Sequence, residues 1–162
     1  MTASGPGLRG PGQEVLMVGV STYLNFDGCA EQAMETYRAL FGTDYATPVV
    51  RMGDAPGDPS APPLTEEEAR LVMHAALPIL GGHVLMATDL IASRGHRLRL
   101  GNNMTINLEL DDRSETERLF AALCDGGSDV AGLADMPWGA YWGTCADRYG
   151  VRWMFNCTTD RG

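Results

Sequence analysis

The sequence DMPWGAYWGTCADRYGVRWMFNC, at residues 135–157, holds all three tryptophans of the chain and two of its five tyrosines. Residues 138–142 have the aromatic content of a β-strand. Residues 147–150 carry a turn signal in which glycine supplies the positive φ of a tight reversal. Residues 151–157 alternate large apolar side chains with polar or small ones, as a half-buried strand does. We predict a C-terminal β-hairpin whose aromatic side chains, Trp142 among them, either wall a pocket or fill the core.

Composition places the chain among globular proteins. Its 162 residues, 44% hydrophobic and 20% charged, suit a single domain. The net charge of −9 and the pI near 4.6 argue against nucleic acid and anionic membranes as partners, because no basic surface is available to neutralise phosphates. No apolar run approaches the roughly 20 residues of a membrane span. The composition therefore argues against nucleic-acid and membrane partners.

The beginning of the chain and its cysteines indicate the compartment. Residues 1–14 are rich in Gly-Pro pairs and predict a flexible tail, followed by a single domain at residues 15–158. The tail has no continuous apolar core, so we expect no secretory signal. The cysteines have no CxxC spacing, which favours reduced thiols in a cytoplasmic protein over a zinc site or disulfides. They are Cys29, Cys124, Cys145 and Cys157.

Two stretches of the chain predict the same order of elements, a strand, a helix and then about three strands. For residues 17–90 the predicted elements are a strand at 18–26, a helix at 29–41 ended by Gly42, a strand at 49–52, a Pro/Gly loop at 53–63, a capping box at 65–68, and strands at 71–80 and 83–88. For residues 101–158 they are a strand at 104–110, a helix opened by a capping box at 114–117 and stopped at Gly126, a strand near Val130, and the strands at 138–142 and 151–157.

The two stretches also align residue by residue. Residues 21–27 lie over 105–111, and residues 82–86 lie over 150–154. Repetition at this length indicates a duplicated supersecondary unit, since a solenoid needs at least three repeats. We further expect the loop and short helix at residues 53–70 to be mobile and to flank the mouth of a pocket.

Several segments resemble the PhnB-like branch of the vicinal-oxygen-chelate superfamily, which includes glyoxalase I, extradiol dioxygenases and bleomycin-resistance proteins. They are YLNFDGCAEQAMETY, RMGDAPGDP, VMHAALPI, GNNMTINLEL and the stretch at residues 135–157, and they cover about residues 18–158 in order. The resemblance implies an α+β fold in which two βαβββ repeats form a curved mixed sheet around a cavity, and a homodimer. It does not imply one reaction, because the superfamily hosts several chemistries and simple binders.

In metal-using members, the resemblance implies four inward-facing ligands on the first and last strands of each repeat. The repeat carries those positions onto Ser21, Met86, Thr105 and Met154. A Lewis-acid metal needs imidazole or carboxylate donors, whereas two thioethers suit only a soft ion such as Cu(I). We therefore expect no metal and no cofactor, with a methionine-lined Cu(I) site as the alternative.

We select candidate ligand-binding residues from the alternation of side chains along the strands and from the residues that surround each histidine. The face that bears Ser21 and Thr105 offers amides, a carboxylate and a guanidinium, which suits a polar or aromatic small molecule. The alternatives are surface residues, structural pairs and, for His74, a buried histidine bonded to backbone. Glu109 could act as a general base or pair with Arg152. The candidates are Tyr23, Asn25, His74, Asn107, Glu109, Trp142 and Arg152.

Three functions remain open from the sequence. The first is a small-molecule-binding protein of the glyoxalase/bleomycin-resistance fold, for sequestration or resistance. The second is a lyase, isomerase or dioxygenase that uses either a noncanonical metal site around His74 and Glu109 or acid–base residues alone, with no catalytic residue assigned. The third is a subunit that works only with a partner. Methyl transfer is not expected, because no glycine-rich nucleotide turn follows a predicted strand. The basic loop at residues 93–100 (SRGHRLRL) is interpreted as solvated, with contact to an anionic ligand as the alternative.

Overall fold

The computed structural model of the chain describes residues 19–158, which form two four-stranded β-sheets and three α-helices. The predicted tail at residues 1–14 and the first residue of the predicted strand at 18–26 lie outside the described residues. Both sheets are mixed, and each belongs to one half of the chain. The predicted α+β fold of two βαβββ units is confirmed.

The first half of the chain forms the sheet with strand order β1-β4-β3-β2. Its first strand runs parallel to its last, and the other neighbours are antiparallel. The elements are β1 (Thr22–Phe26), α1 (Ala30–Phe41), β2 (Val50–Arg51), α2 (Glu66–Arg70), β3 (Val72–Pro78) and β4 (Val84–Asp89).

The second half forms the sheet with strand order β5-β8-β7-β6, which is the same order of equivalent strands. Again the first and last strands are parallel and the other pairs antiparallel. The elements are β5 (Ile106–Leu110), α3 (Arg113–Cys124), β6 (Ser128–Asp135), β7 (Tyr141–Ala146) and β8 (Arg152–Cys157).

Equivalent residues occupy equivalent places in the two sheets. Tyr23 on β1 pairs with Met86 on β4, and Asn107 on β5 pairs with Met154 on β8. The alignment made from the sequence matches Tyr23 with Asn107 and Met86 with Met154. That alignment is therefore confirmed by the strand register of both halves.

One hydrophobic core joins the two halves, and alternation along the strands decides which side chains enter it. Leu85 and Ala87 of β4 are fully buried, as are Trp153 and Phe155 of β8. The residues between them face the other side of each sheet and are only partly buried. The helices cover the buried faces with apolar side chains, among them Ala30, Ala33, Met34 and Tyr37 of α1 and Leu119 and Leu123 of α3.

The helix ends show which predicted caps form. Gly42 closes α1 in the left-handed conformation, with φ of 63°, as predicted. The capping box at the start of α2 is also confirmed, since Thr65 and Glu68 bond each other's backbone. The prediction for α3 is wrong in detail: its cap is Asp112, whose carboxylate accepts from the N–H of Glu115 at 2.7 Å.

The start of α1 is capped from a distant part of the chain. Cys29 occupies the cap position without making a side-chain bond. Instead, Oδ1 of the buried Asp89 accepts from the N–H of Ala30 at 3.0 Å, while Oδ2 accepts from the N–H of Val72 at 3.0 Å. One carboxylate thus joins α1, β3 and the end of β4.

The predicted strand at residues 138–142 is wrong in its first part. Trp138 lies in the turn between β6 and β7 and is 70% exposed, so it contributes neither to a pocket wall nor to the core. The turn closes through two backbone bonds, from the N–H of Met136 to the carbonyl of Ala140 and from the N–H of Gly139 to the carbonyl of Met136, and Gly139 adopts φ of 88°. Proline before the tryptophan and glycine after it favour this turn more strongly than one aromatic side chain favours a strand.

None of the helices at residues 19–158 is long and apolar enough to cross a bilayer.

Candidate functional site

The candidate site is a cavity between the two sheets, bounded by β1 and β5. Each of these strands ends its own sheet and pairs on one side only, with β4 and β8 respectively. Their exposed positions alternate with positions that enter the core. The two equivalent strands therefore bring side chains from both halves to one place.

The cavity has a volume of about 510 Å³, within the range of ordinary small-molecule sites. Its wall comes from residues 22–25 of β1, His83 before β4, the segment from Leu98 to the start of β5, and residues 149–152 at the end of the β7–β8 turn. Amides, hydroxyls and two arginines are interspersed there with leucine, isoleucine and valine side chains. Such a lining suits a molecule with both polar and apolar parts.

Four of the seven predicted binding residues line this cavity: Tyr23, Asn25, Asn107 and Arg152. Glu109 lies beyond it and lines a neighbouring cavity together with Asn107 and His83.

The other two predicted residues are not part of the wall described for either cavity. His74 on β3 contacts the site only through Tyr23, whose hydroxyl lies 3.4 Å from Nδ1 of the imidazole. Trp142 lies on β7, paired with Asn156 of β8. The structure thus brings together Tyr23, Asn25, Asn107 and Arg152, places Glu109 in the neighbouring cavity, and leaves His74 and Trp142 outside both described walls.

The segment at residues 98–105 is a part of the wall that the sequence revealed only at its end, where Thr105 was expected to face inward. It also contributes Leu98, Arg99 and Leu100, which end the basic loop, and then Asn103. The signal was present in the charges of that loop, whose alternative interpretation was contact with an anionic ligand. The segment at 53–70, expected to flank the pocket, contributes nothing to the described wall of this cavity; Arg70 borders a separate, smaller one.

A close approach of backbone and side chain brings the 98–105 segment against the β7–β8 turn. Gly150 has φ of 84°, which favours glycine, and a β-carbon on it would lie 2.6 Å from Cδ1 of Leu100. A larger residue at position 150 would therefore displace the Leu100 side chain from the turn. This contact places Arg99 beside the residues that lead into β8.

Buried polar contacts hold the β7–β8 turn itself. Both oxygens of the buried Asp147 accept hydrogen bonds: from the side chains of Tyr37 and Trp153, at 2.6 and 2.8 Å, and from the N–H groups of Tyr149 and Val151, at 2.9 and 3.0 Å. Burial, reinforced by the Asp147 carboxylate, raises the pKa of Tyr37 well above its usual value. The turn thus presents Tyr149 and Arg152 to the cavity from a fixed backbone.

The side chain of Arg152 is held at one end. Its Nη1 donates to the carboxylate of Asp129 at 2.9 Å, and the side chain is 20% exposed. Its buried Nε has no hydrogen-bond partner among the described residues. Because a guanidinium has five N–H donors, Arg152 keeps donors that Asp129 does not use.

The positions that metal-using relatives would employ do not fit a divalent catalytic ion. The hydroxyl of Ser21 donates to the sulfur of Met86 at 3.8 Å, and Thr105 lines the cavity. None of the four ligand positions carries a carboxylate or an imidazole. Across residues 19–158, no three His, Cys, Asp or Glu side chains are grouped closely enough to hold a metal. The donors at these positions are hydroxyls and thioethers, which are poor ligands for a hard cation.

Comparison with known proteins places the sequence in one family. Residues 19–155 match the family described as 3-demethylubiquinone-9 3-methyltransferase. No curated protein matches the chain.

Solved structures share its fold. Protein PA1353 from Pseudomonas aeruginosa is 32% identical, with a TM-score of 0.74 over 89% of this chain and 100% of the other. The PhnB protein from Bacillus cereus is 24% identical, with a TM-score of 0.66 over 86% and 98% of the two chains. A further Bacillus cereus protein, described as a "possible Glyoxalase", is 14% identical, with a TM-score of 0.51 over 86% and 100%.

Proposed function

The chain belongs to the 3-demethylubiquinone-9 3-methyltransferase family, the PhnB-like family of the glyoxalase-like fold, and on that premise we propose that it is a small-molecule-binding protein. The ligand occupies the cavity between β1 and β5. Methyl transfer is not part of the proposal, because no glycine-rich nucleotide turn follows any of the strands at residues 19–158.

The cavity itself is the observation that carries the proposal. It is about 510 Å³ in volume and is walled by both halves of the duplicated unit. Asn25 and Asn107 offer an amide donor and acceptor from each half, and Tyr23 adds a hydroxyl on an aromatic ring. A few polar groups set in an otherwise apolar wall are typical of sites that select one orientation of a small ligand.

The enzyme alternative needs His74 and Glu109 to act on one point. Glu109 lines the neighbouring cavity, whose described wall does not include His74. His74 instead contacts Tyr23. This separation supports binding over a metal-assisted reaction at that pair.

The proposal extends to a cytoplasmic homodimer. Tyr23, Leu100 and Met104 line the cavity and are 49%, 65% and 77% exposed in the single chain. Exposed apolar side chains grouped in this way favour coverage by another chain. The four free cysteines are in keeping with a reducing compartment. Light scattering coupled to gel filtration should give the mass of a dimer, and a monomer at micromolar concentration would contradict this part.

The first test is elemental analysis of untagged protein, before and after incubation with Mn, Fe, Co, Ni, Cu and Zn salts. We expect no stoichiometric ion and no change of the unfolding temperature in any salt. A stoichiometric ion that is lost on His74→Ala or Glu109→Ala would overturn the proposal and favour the enzyme.

The second test fills the cavity. Asn107→Trp places a large ring in the wall, and Asn102→Trp adds the same ring on an exposed neighbouring residue outside the wall. Polar aromatic fragments should protect the parent protein and Asn102→Trp from thermal unfolding, because a ligand that binds only the folded state stabilises it. Asn107→Trp should lose this protection. Equal protection of both variants would place binding elsewhere and contradict the proposal.

A further inference from the structure

The cavity wall is basic, whereas the whole chain is acidic. The chain carries a net charge of −9. Yet among the described residues that line the cavity, the charged or titratable side chains apart from two tyrosines are Arg99, Arg152 and His83, and none is an aspartate or glutamate. A basic site on an acidic surface concentrates anions locally while the rest of the surface repels them.

Arg99 is the cation most available to a ligand. It is exposed, and it forms no ion pair with any residue at positions 19–158. The adjacent Leu100 approaches Gly150 of the β7–β8 turn, and all three residues line the cavity. The guanidinium of Arg99 therefore lies at the wall, and its charge is not neutralised by any carboxylate at residues 19–158.

Arg152 adds a second guanidinium with part of its hydrogen-bonding capacity unused. Asp129 accepts a hydrogen bond from Nη1 and offsets part of the positive charge of Arg152. Arg152 therefore contributes oriented hydrogen-bond donors more than net charge. Arg152 follows the turn that Leu100 approaches, and it lines the same cavity as Arg99 and Leu100. Planar guanidinium groups match the two oxygens of a carboxylate or a phosphate ester.

The acidic side chains near the site define its limits. Glu109 lines the neighbouring cavity, and Asp129 is paired with Arg152 without lining the cavity, so an anion is favoured beside the unpaired Arg99. The wall beside the arginines is apolar, with Leu98, Ile106 and Val151. A ligand must therefore combine an anionic head with an apolar body.

We propose that the ligand of this cavity is a small organic anion whose oxyanion head binds Arg99 and Arg152 and whose apolar body lies against Leu98, Ile106 and Val151. The proposal rests on the proposed binding function and specifies its ligand class. The basic loop at residues 93–100 thereby has a role beyond solvation, because its last residues form part of the site.

The test uses three probes that share a phenyl ring: benzoate, phenyl phosphate and the neutral benzamide. Each is titrated into ¹⁵N-labelled protein at low ionic strength, where screening is weak. The backbone amides of Gly101, Thr105 and Gly150 report on the wall. We expect at least one anion to bind about tenfold more tightly than benzamide, as a charge-assisted hydrogen bond allows. The tighter of the two anions identifies the head group as carboxylate or phosphate ester.

Two variants with the same change of net charge separate the site from general attraction. Arg99→Gln alters the wall, whereas Arg97→Gln alters an exposed residue of the same loop outside it. Arg99→Gln should weaken anion binding about tenfold and leave benzamide binding unchanged, while Arg97→Gln should change neither.

The outcomes distinguish this inference from the proposed function. If benzamide binds in the cavity as tightly as both anions, or if both variants weaken the anions equally, the cavity binds ligands but does not select anions, and the inference is overturned alone. If no probe shifts the amides of the wall, both the inference and the proposed function are overturned.

Discussion

The hydroxyl of Tyr37, on helix α1 of the first half, donates a 2.6 Å hydrogen bond to the buried carboxylate of Asp147, in the turn between β7 and β8 of the second half. The indole of Trp153 donates to the same oxygen, and two backbone N–H groups donate to the other. The carboxylate is therefore stabilised by four hydrogen-bond donors, and no cation at residues 19–158 forms an ion pair with it. This network joins the two halves at the turn whose last residues line the cavity.

Tyr37→Phe should destabilise the protein by about 1–3 kcal/mol, because it removes one donor from a buried carboxylate and leaves the remaining atoms in place. The measurement is the free energy of unfolding in urea. Tyr149→Phe is the matched control, since its hydroxyl bonds Thr36 at the exposed side of the same helix. A loss for Tyr37→Phe no larger than for Tyr149→Phe would contradict the structural role of the buried bond.

Stability should fall at alkaline pH in part through Tyr37. Burial and the Asp147 carboxylate raise the pKa of this phenol in the folded state. In the unfolded chain the pKa of a tyrosine is about 10, so below that pH the phenol keeps its proton in both states and its stabilising contribution is complete. At higher pH the unfolded state releases the proton first, and this contribution to the free energy of unfolding is lost. Urea unfolding at increasing pH above 10 should show a shallower decline for Tyr37→Phe than for the parent. Parallel declines would exclude Tyr37 as a source of the pH dependence.

Asp89→Asn should cost about 1–3 kcal/mol of unfolding free energy, because both carboxylate oxygens accept buried backbone N–H groups and an amide can replace only one acceptor. Asp112→Ala removes the exposed local cap of α3 and should cost about 1 kcal/mol. The free energies of unfolding of both variants, measured in urea, test whether the cap from Asp89 stabilises the protein more than the cap from Asp112. A larger loss of free energy for Asp112→Ala would contradict this prediction.

Gly150→Ala should change the cavity wall as well as the stability. Alanine at φ of 84° costs about 1–2 kcal/mol, and its β-carbon would collide with Leu100. Gly95→Ala introduces the same strain at φ of 82°, with open space around the added carbon. Both variants should lose similar stability, but only Gly150→Ala should shift the methyl resonances of Leu100. Unshifted methyl resonances in Gly150→Ala would mean that Leu100 does not rest on the turn.

Local patterns in the sequence were sufficient for the framework of the fold. The alternation around Tyr23 and Asn107 gave the paired strands, and glycine at position 42 gave the end of α1. Both depend on neighbours a few residues apart, so they can be read without knowing the fold. Trp138 failed as a strand residue because two local signals conflicted and the turn was the stronger.

The parts that were not foreseen depend on residues far apart in sequence. The cap on Ala30 comes from Asp89, and the contact that positions Arg99 depends on Leu100 meeting Gly150. No periodicity within one segment encodes such pairs. For the same reason the candidate site was only partly anticipated: its strand residues follow from alternation, whereas the contribution of residues 98–105 follows from how the linker between the halves packs.

The duplicated backbone carries unlike side chains where its two halves meet. Tyr23 and Asn107 hold equivalent positions on β1 and β5, yet one is a phenol and the other an amide, while their partners on the adjacent strands, Met86 and Met154, are alike. If a bound molecule were turned end for end within the cavity, the end that had contacted the ring of Tyr23 would contact the amide of Asn107, and the other end would change in the opposite sense. The twofold likeness of the scaffold therefore does not make its two directions equivalent, and an occupant of the cavity has a head and a tail.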